Sequence, residues 1–304
     1  MKQSVLPAHA SQRVTSSPQF SNSFLAWYFV LVWGSGFLAT KIGIEYTAPF
    51  TFLSLRYMAG LLCLAPLLIW VKPTWPVKRS ELIHIMVAGL LMHAIHLSGS
   101  HYAQYLGMSA GVTAIILASQ TLLTAIVAAV WMGEKPSRTQ WLGVAIGLLG
   151  VALVVWHKID IAAVSRGSLI AVCTGLVALT AGTLYQRQFC AQVDLRSSTF
   201  IQFAASLLVV APLSYVVEGA RINWAWPLVA AVLFLVIFAS IFAVNALTVL
   251  LRRGEATRVT GMLYLPPVVV VAAEWLLFGV RPTLLTALGV MIVCIGVALT
   301  VREK

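Results

Sequence analysis

Residues 133–156 read GEKPSRTQWLGVAIGLLGVALVVW, and residues 279–302 read GVRPTLLTALGVMIVCIGVALTVR. The two stretches lie 146 positions apart, and 11 of their 24 aligned residues are identical without a gap. Apolar sequences often match by chance, but a proline (Pro136/Pro282) and several glycines (Gly143/Gly289 among them) also recur at this offset. We interpret the chain as a duplication of a unit of about 146 residues.

The same offset relates other positions of the chain, such as Gly36 to Gly182 and Pro66 to Pro212. We therefore predict three regions. They are a disordered cytoplasmic tail at 1–23, a first five-helix repeat at 24–156 and a second at 167–302.

The composition is that of a membrane protein. Of 304 residues, 60% are hydrophobic and 10% are charged, and the mean hydropathy is +0.94. A soluble domain is about 45 to 50% apolar and about 25% charged. The apolar segments approach the roughly 20 residues that a spanning helix needs, which predicts an all-α integral membrane fold. The predicted spans are 24–44, 49–71, 81–102, 107–131, 138–156, 167–188, 197–217, 226–250, 256–278 and 283–301.

The net charge of +11 does not indicate nucleic-acid binding, because the Lys and Arg residues lie in short gaps between apolar runs and not in one cluster. The four cysteines are scattered without metal-ligand spacing. We expect no cofactor, no metal and no nucleic acid. The expected partners are the lipid bilayer and a small-molecule substrate, with the chain a monomer or a homodimer.

The distribution of basic residues predicts the orientation. One set of alternate gaps, including both termini, contains 14 Lys and Arg residues, and the other set contains four. The positive-inside rule then places both termini in the cytoplasm and the loop at 157–166 outside. Five spans per repeat also require the second copy to enter the membrane from the opposite side, and inverted repeats are typical of carriers.

The motif WGSGF at 33–37 is followed by Lys41, Pro49 and Arg56, and then by the GEKP turn at 133–136 and its GxxxG-bearing helix. This pattern resembles the EamA-like permeases of the drug/metabolite transporter superfamily, over residues 24–302. The resemblance implies ten helices in two inverted five-helix repeats and a central pathway for exported amino acids, related metabolites or drugs. The copies have diverged. The residue after the glycine of the turn is the acidic Glu134 in the first copy and the apolar Val280 in the second, and Pro266 of the second copy corresponds to Gln120 of the first.

Three charged residues lie inside apolar spans, namely Lys41, Arg56 and Glu274. A charge at the membrane centre costs at least about 2.5 to 3.5 kcal/mol, so each needs a partner or a function. Lys41 could extend to the interface or pair with Glu45, and Arg56 could bind a substrate carboxylate. For Glu274 we consider both a charge pair with one of these cations and a role in proton coupling.

The third span contains His93 and His96, three residues apart, which predicts that they share one helical face. Without a nearby Cys or carboxylate, a metal site is disfavoured. The remaining roles for the two histidines are packing and lining a polar cavity. In the ninth span, Pro266 and Pro267 remove two backbone donors and predict a helix break near the midplane.

These observations predict a polar and aromatic site near the midplane. Its expected substrate contacts are Trp33, Arg56, His93, His96, Gln120, Tyr185, Gln202, Asn245 and Tyr264.

No acidic residue lies at mid-depth in this set, and a buried cationic substrate would need one to offset its desolvation. We therefore predict a secondary transporter, not an enzyme, that exports amino acids or related zwitterions across the inner membrane by alternating access. The absence of GxxxxGK[ST] disfavours ATP hydrolysis. The alternatives are an exporter of cationic drugs, an intramembrane enzyme that uses the third-span histidines, and a channel, which the midplane break and the inverted repeat disfavour.

Overall fold

The computed structural model describes residues 19–131, 136–160, 164–243 and 265–301. These residues form helices joined by short loops, with one isolated antiparallel bridge between Thr47 and Ile222. The helices are α1 (Gln19–Gly43), α2 (Pro49–Val71), α3 (Arg79–Tyr105), α4 (Ala110–Trp131), α5 (Arg138–Asp160), α6 (Arg166–Phe189), α7 (Leu195–Glu218), α8 (Trp226–Leu233 continued by Phe234–Ala243), α9 (Pro266–Phe278) and α10 (Leu284–Val301).

Within the described residues, five helices are long and apolar enough to cross a membrane: α2, α3, α4, α6 and α7. Parts of α5, α8, α9 and α10 are shorter apolar helices. The described part of the chain is thus helical, with helices of the length and composition that a membrane protein needs, as its composition predicts.

Two predicted boundaries are wrong. Helix α1 begins at Gln19 and not at Phe24, because the polar residues after Pro18 continue the helix instead of ending it. The rest of the predicted tail, residues 1–18, lies outside the described residues. Helix α5 continues to Asp160 through part of the predicted 157–166 loop, because no Gly or Pro stops it after Trp156.

Irregular turns interrupt three of the helices. Residues Leu90–Ile95 of α3 and Phe234–Ala243 of α8 are π-helical, and the 146-residue offset maps 90–95 onto 236–241, inside the second of these turns. Helix α4 is interrupted at Ser119, whose hydroxyl donates to the carbonyl of Ile116 at 2.6 Å.

The sequence predicts a break in the ninth span only. The described part of α9 begins at Pro266, after Leu265, and the 146-residue offset relates Leu265 to Ser119. A turn therefore interrupts α4 at this equivalent position without a proline. Residues 244–264, which precede α9, lie outside the described residues.

Helix packing divides most of the fold into two groups. Helices α1, α2, α8 and α9 pack in series and are called group A, and helices α3, α4, α6 and α7 pack in series and are called group B. The groups meet where α2 contacts α7 and where α9 contacts α4, and also where α1 and α2 contact α3 and where α1 contacts α4.

Helices α5 and α10 pack against each other along their glycines beside α4. A Cβ atom on Gly143 would lie 2.6 Å from the carbonyl oxygen of Gly296, so the two backbones are in direct contact. The glycine faces of α5 and α10 are therefore used within the chain.

Candidate functional site

A guanidinium lies in the interior of the bundle, and no carboxylate of the described residues forms an ion pair with it. Arg56 of α2 is half-buried, and its Nη2 donates to the hydroxyl of Ser240 on α8 at 3.5 Å. Its Nε is shielded from solvent and has no hydrogen-bond partner. The ion pair between Lys41 and Glu274 does not involve Arg56. A buried cation without a counter-charge is costly, so this site favours an anionic ligand group.

Three histidines of α3 lie close enough to Arg56 for electrostatic interaction: His93, His96 and His101. Arg56 therefore lies near the histidines of the third span. Across the described residues, no three His, Cys, Asp or Glu side chains come together as a metal site.

His93 and His96, which are predicted to share one face of the third span, contact different helices. His93 Nε2 lies 3.1 Å from Oε1 of Gln202 on α7, whereas His96 Nδ1 lies 3.1 Å from the carbonyl of Gly175 on α6. Each ring nitrogen acts as the donor here, since each partner is an oxygen acceptor. The π-helical turn, which contains His93, changes the angular step and turns the two rings toward different helices.

Two contacts join group A to group B beside Arg56. The hydroxyl of the fully buried Tyr57 donates to the carbonyl of His93 at 2.9 Å. The hydroxyl of Thr40 on α1 lies 3.5 Å from Nε2 of His101. Arg56 and the α3 histidines thus occupy the interface between the two groups.

Other predicted site residues lie apart from this centre. Tyr185 is one turn from the end of α6, where its hydroxyl contacts Nδ1 of His84 at 2.7 Å. Gln120 donates to Thr183 at 3.1 Å, and Trp33 stacks on Phe29 with 46% of its surface exposed.

The mid-depth position predicted for Tyr185 is wrong, because Tyr185 lies one turn before the end of α6, where it contacts His84 near the start of α3. Pro266 and Pro267 form the buried first turn of α9. Asn245 and Tyr264 lie outside the described residues.

Glu274 of α9 is 3% exposed and holds three hydrogen bonds. Its carboxylate accepts from Nζ of Lys41 at 2.9 Å and from the backbone N–H groups of Ala110 and Gly111 at 3.1 and 3.0 Å. Lys41 also lies over the ring of Phe278, 4.4 Å from its centroid. Lys41 therefore pairs with Glu274 and not with Glu45, and the carboxylate caps the first turn of α4.

A second carboxylate, which the sequence analysis missed, caps α2. Glu218 at the end of α7 accepts from the N–H groups of Phe50 and Thr51 at 2.9 and 2.8 Å and from the hydroxyl of Thr51 at 2.8 Å. The hydroxyl of Tyr102 on α3 also donates to it, at 2.9 Å.

The sequence contains a signal for this contact. The residue before the first turn of α2 is Ala48, which has no side chain that can cap a helix, so these N–H groups need a partner from elsewhere in the chain.

Comparison with known proteins supports these observations. The model of the EamA-like transporter family matches residues 21–156 and again residues 166–302. The chain is 26% identical over 273 residues to the uncharacterized inner membrane transporter YedA of Escherichia coli K12, covering 82% of this chain and 84% of that protein.

A probable amino-acid metabolite efflux pump of Salmonella typhimurium is 23% identical to the chain over 290 residues, covering 92% of this chain and 94% of the pump. A protein of known crystal structure superposes with a TM-score of 0.66 at 16% identity, over 92% of this chain and 97% of its own length. That similarity supports the fold alone.

Proposed function

The chain belongs to the EamA-like transporter family and is a membrane transporter, and we propose that it exports amino acids or related zwitterions from the cytoplasm by alternating access. One observation carries the choice of substrate. Among the described residues, the shielded Nε of Arg56 has no hydrogen-bond partner at the interface between the two helix groups, where a substrate carboxylate would supply a counter-charge. The name of the Salmonella relative, a probable amino-acid metabolite efflux pump, supports the same class.

The proposed architecture is ten spans in two inverted repeats in the inner membrane, with both termini in the cytoplasm. Helix contacts support it, because two helices that pack together in one place have their repeat equivalents packed together elsewhere in the fold. Helix α3 packs on α6 as α8 packs on α1, and α4 packs on α6 as α9 packs on α1. The π-helical turns of α3 and α8 obey the same relation. The excess of basic residues in one set of loops supports the orientation.

The geometry disfavours the export of cationic drugs through Glu274. This carboxylate is occupied by Lys41 and by two backbone N–H groups, so a cation could bind there only by displacing them. The histidine-enzyme alternative has less support, because His93 and His96 are engaged with different helices.

The test replaces the partner of Arg56 and not Arg56 alone. In the variant Ser240→Asp a carboxylate is placed beside the guanidinium, where it competes with the substrate carboxylate; Ser240→Asn has the same size without the charge. In proteoliposomes we expect Ser240→Asp to raise the KM for amino acids by about tenfold or more, equivalent to about 1.4 kcal/mol, and Ser240→Asn to change it little.

Arg56→Gln should abolish amino-acid transport, whereas Arg196→Gln, which removes an exposed guanidinium, should not. Both proteins should be compared at equal abundance, so that a loss of folding is not counted as a loss of transport. If Ser240→Asp and Ser240→Asn raise KM equally, or if Arg56→Gln transports at the normal rate, the carboxylate hypothesis is wrong. Uptake of organic cations alone, in a manner dependent on Glu274, would favour the drug exporter.

A further inference from the structure

Two carboxylates join the two helix groups by the same chemistry. Glu218 belongs to group B and binds the first-turn N–H groups of α2 in group A. Glu274 belongs to group A and binds the first-turn N–H groups of α4 in group B.

Each carboxylate is also bound by a side chain of its own group. Tyr102 donates to Glu218, and Lys41 donates to Glu274. We call each set of contacts a clamp.

Both clamps lie at one end of the bundle. Lys41 of one clamp and Phe50 of the other are joined by the short connection between α1 and α2, and Tyr102 and Ala110 are joined by the short connection between α3 and α4. The Glu218 clamp lies where α7 meets α2, and the Glu274 clamp lies where α9 meets α4. These are the two edges of the interface between the groups, so together the clamps hold this end closed.

Loop contacts strengthen the edge at Glu218. The antiparallel bridge joins Thr47 to Ile222, the hydroxyl of Thr47 donates to the carbonyl of Arg221 at 2.9 Å, and the N–H of Asn223 donates to the carbonyl of Tyr46 at 2.9 Å. The loop before α2 and the loop after α7 are therefore held together by backbone as well as by the carboxylate.

We propose that Glu218 and Glu274 form the outer gate of the transporter. This proposal rests on the alternating-access function and on the orientation above, in which this end of the bundle faces the outside. The described conformation is closed to the outside, and release of substrate requires both clamps to open as group A separates from group B. When a clamp opens, water replaces the charge-assisted hydrogen bonds of its carboxylate and N–H groups. The gate can therefore open and close reversibly.

The first experiment locks the gate without removing either carboxylate. Because residues paired across an antiparallel bridge have Cα atoms about 4.5 to 5.5 Å apart, Thr47→Cys with Ile222→Cys can form a disulfide. The four natural cysteines are first replaced by serine. We expect oxidation to lower transport at least tenfold and a reductant to restore it, with each single cysteine variant insensitive to oxidation. If the cross-linked protein transports as fast as the protein treated with reductant, the proposal is wrong.

The second experiment weakens the gate and needs no substrate. Thr40→Cys serves as a reporter, because Thr40 is 3% exposed and lies between the groups, next to His101. We expect Glu218→Gln or Glu274→Gln to raise the rate at which an impermeant maleimide added outside labels this cysteine, by about tenfold over the parent. Glu45→Gln is the matched control, since Glu45 is an exposed carboxylate in the loop between α1 and α2.

The two experiments separate this proposal from the proposed substrate. Faster labelling without any amino-acid transport would support the gate and contradict the substrate. Amino-acid transport with unchanged labelling in both glutamine variants would contradict the gate. If a glutamine variant does not fold, the disulfide experiment still decides, because it keeps both carboxylates.

Discussion

The hydroxyl of Tyr57 donates a 2.9 Å hydrogen bond to the carbonyl oxygen of His93, which lies inside the π-helical turn of α3. The bond joins the two helix groups one residue away from Arg56, and Tyr57 is fully buried. A π-helical turn supplies fewer regular backbone bonds than an α-helix, and such turns often lie at functional sites. Tyr57 therefore positions both the histidine and the arginine of the proposed substrate site.

Tyr57→Phe should destabilise the protein by about 0.5 to 1.5 kcal/mol, because it removes one buried hydrogen bond while keeping the ring, and the carbonyl of His93 still accepts from the N–H of His96. The midpoint of thermal unfolding in detergent measures this effect. Tyr215→Phe is the control, since Tyr215 is 74% exposed. Equal shifts for the two variants would contradict the role assigned to the hydroxyl.

His93 and Gln202 should be energetically coupled. Gln202 accepts from His93 and its amide also contacts Ser198 at 3.0 Å, so the amide holds the histidine through α7. Gln202→Leu and His93→Phe should each destabilise the fold, and the double variant should cost less than their sum by about 0.5 to 3 kcal/mol. A double-mutant cycle on unfolding free energies measures this coupling. Strict additivity would show that the hydrogen bond contributes nothing.

Gly296→Ala should destabilise the pairing of α5 with α10. An added Cβ would lie closer to the backbone of Gly147 than two carbon atoms approach, and overpacking of this kind costs about 1 to 3 kcal/mol. At Gly36 the nearest atom to an added Cβ is the Leu235 side chain at 3.5 Å, which is ordinary contact. Unfolding midpoints should therefore fall for Gly296→Ala and change little for Gly36→Ala.

The orientation is tested with two serines that have the same structural role. Ser165 caps α6 and Ser137 caps the start of α5, with N–H to Oγ distances of 3.1 and 3.2 Å. In a chain without natural cysteines, Ser165→Cys should react with an impermeant maleimide from outside and Ser137→Cys should not. Because both serines cap a helix, a difference in folding would not explain a difference in labelling. The reverse labelling would contradict the proposed topology.

Much of the fold follows from local pattern. Helix α2 runs over Pro49–Val71 as predicted, because proline at the first helical turn starts it and the left-handed conformation of Lys72 ends it. The predicted membership in the EamA-like family is confirmed by a match to both halves of the chain. Both features depend on residues close together in the sequence or on spacing that a repeat preserves.

The parts of the site that the sequence did not predict depend on distant contacts. Glu218 caps residues more than 160 positions away, and from local sequence it is an ordinary acidic residue beside a glycine turn. The turn at Ser119 uses a serine hydroxyl where a proline is the usual signal. Tyr185 is an aromatic residue of an apolar span and so resembles a cavity residue, but the partner that it has near the end of α6, His84, comes from another helix.

The packing of α5 on α10 has a consequence for how the protein can be divided. Each of the two helices is the last of its half, and each supplies the glycine face that receives the other. A chain cut between α5 and α6 would retain, on each fragment, one complementary half of that interface. Two fragments produced as separate chains should therefore associate in the bilayer and restore the complete bundle.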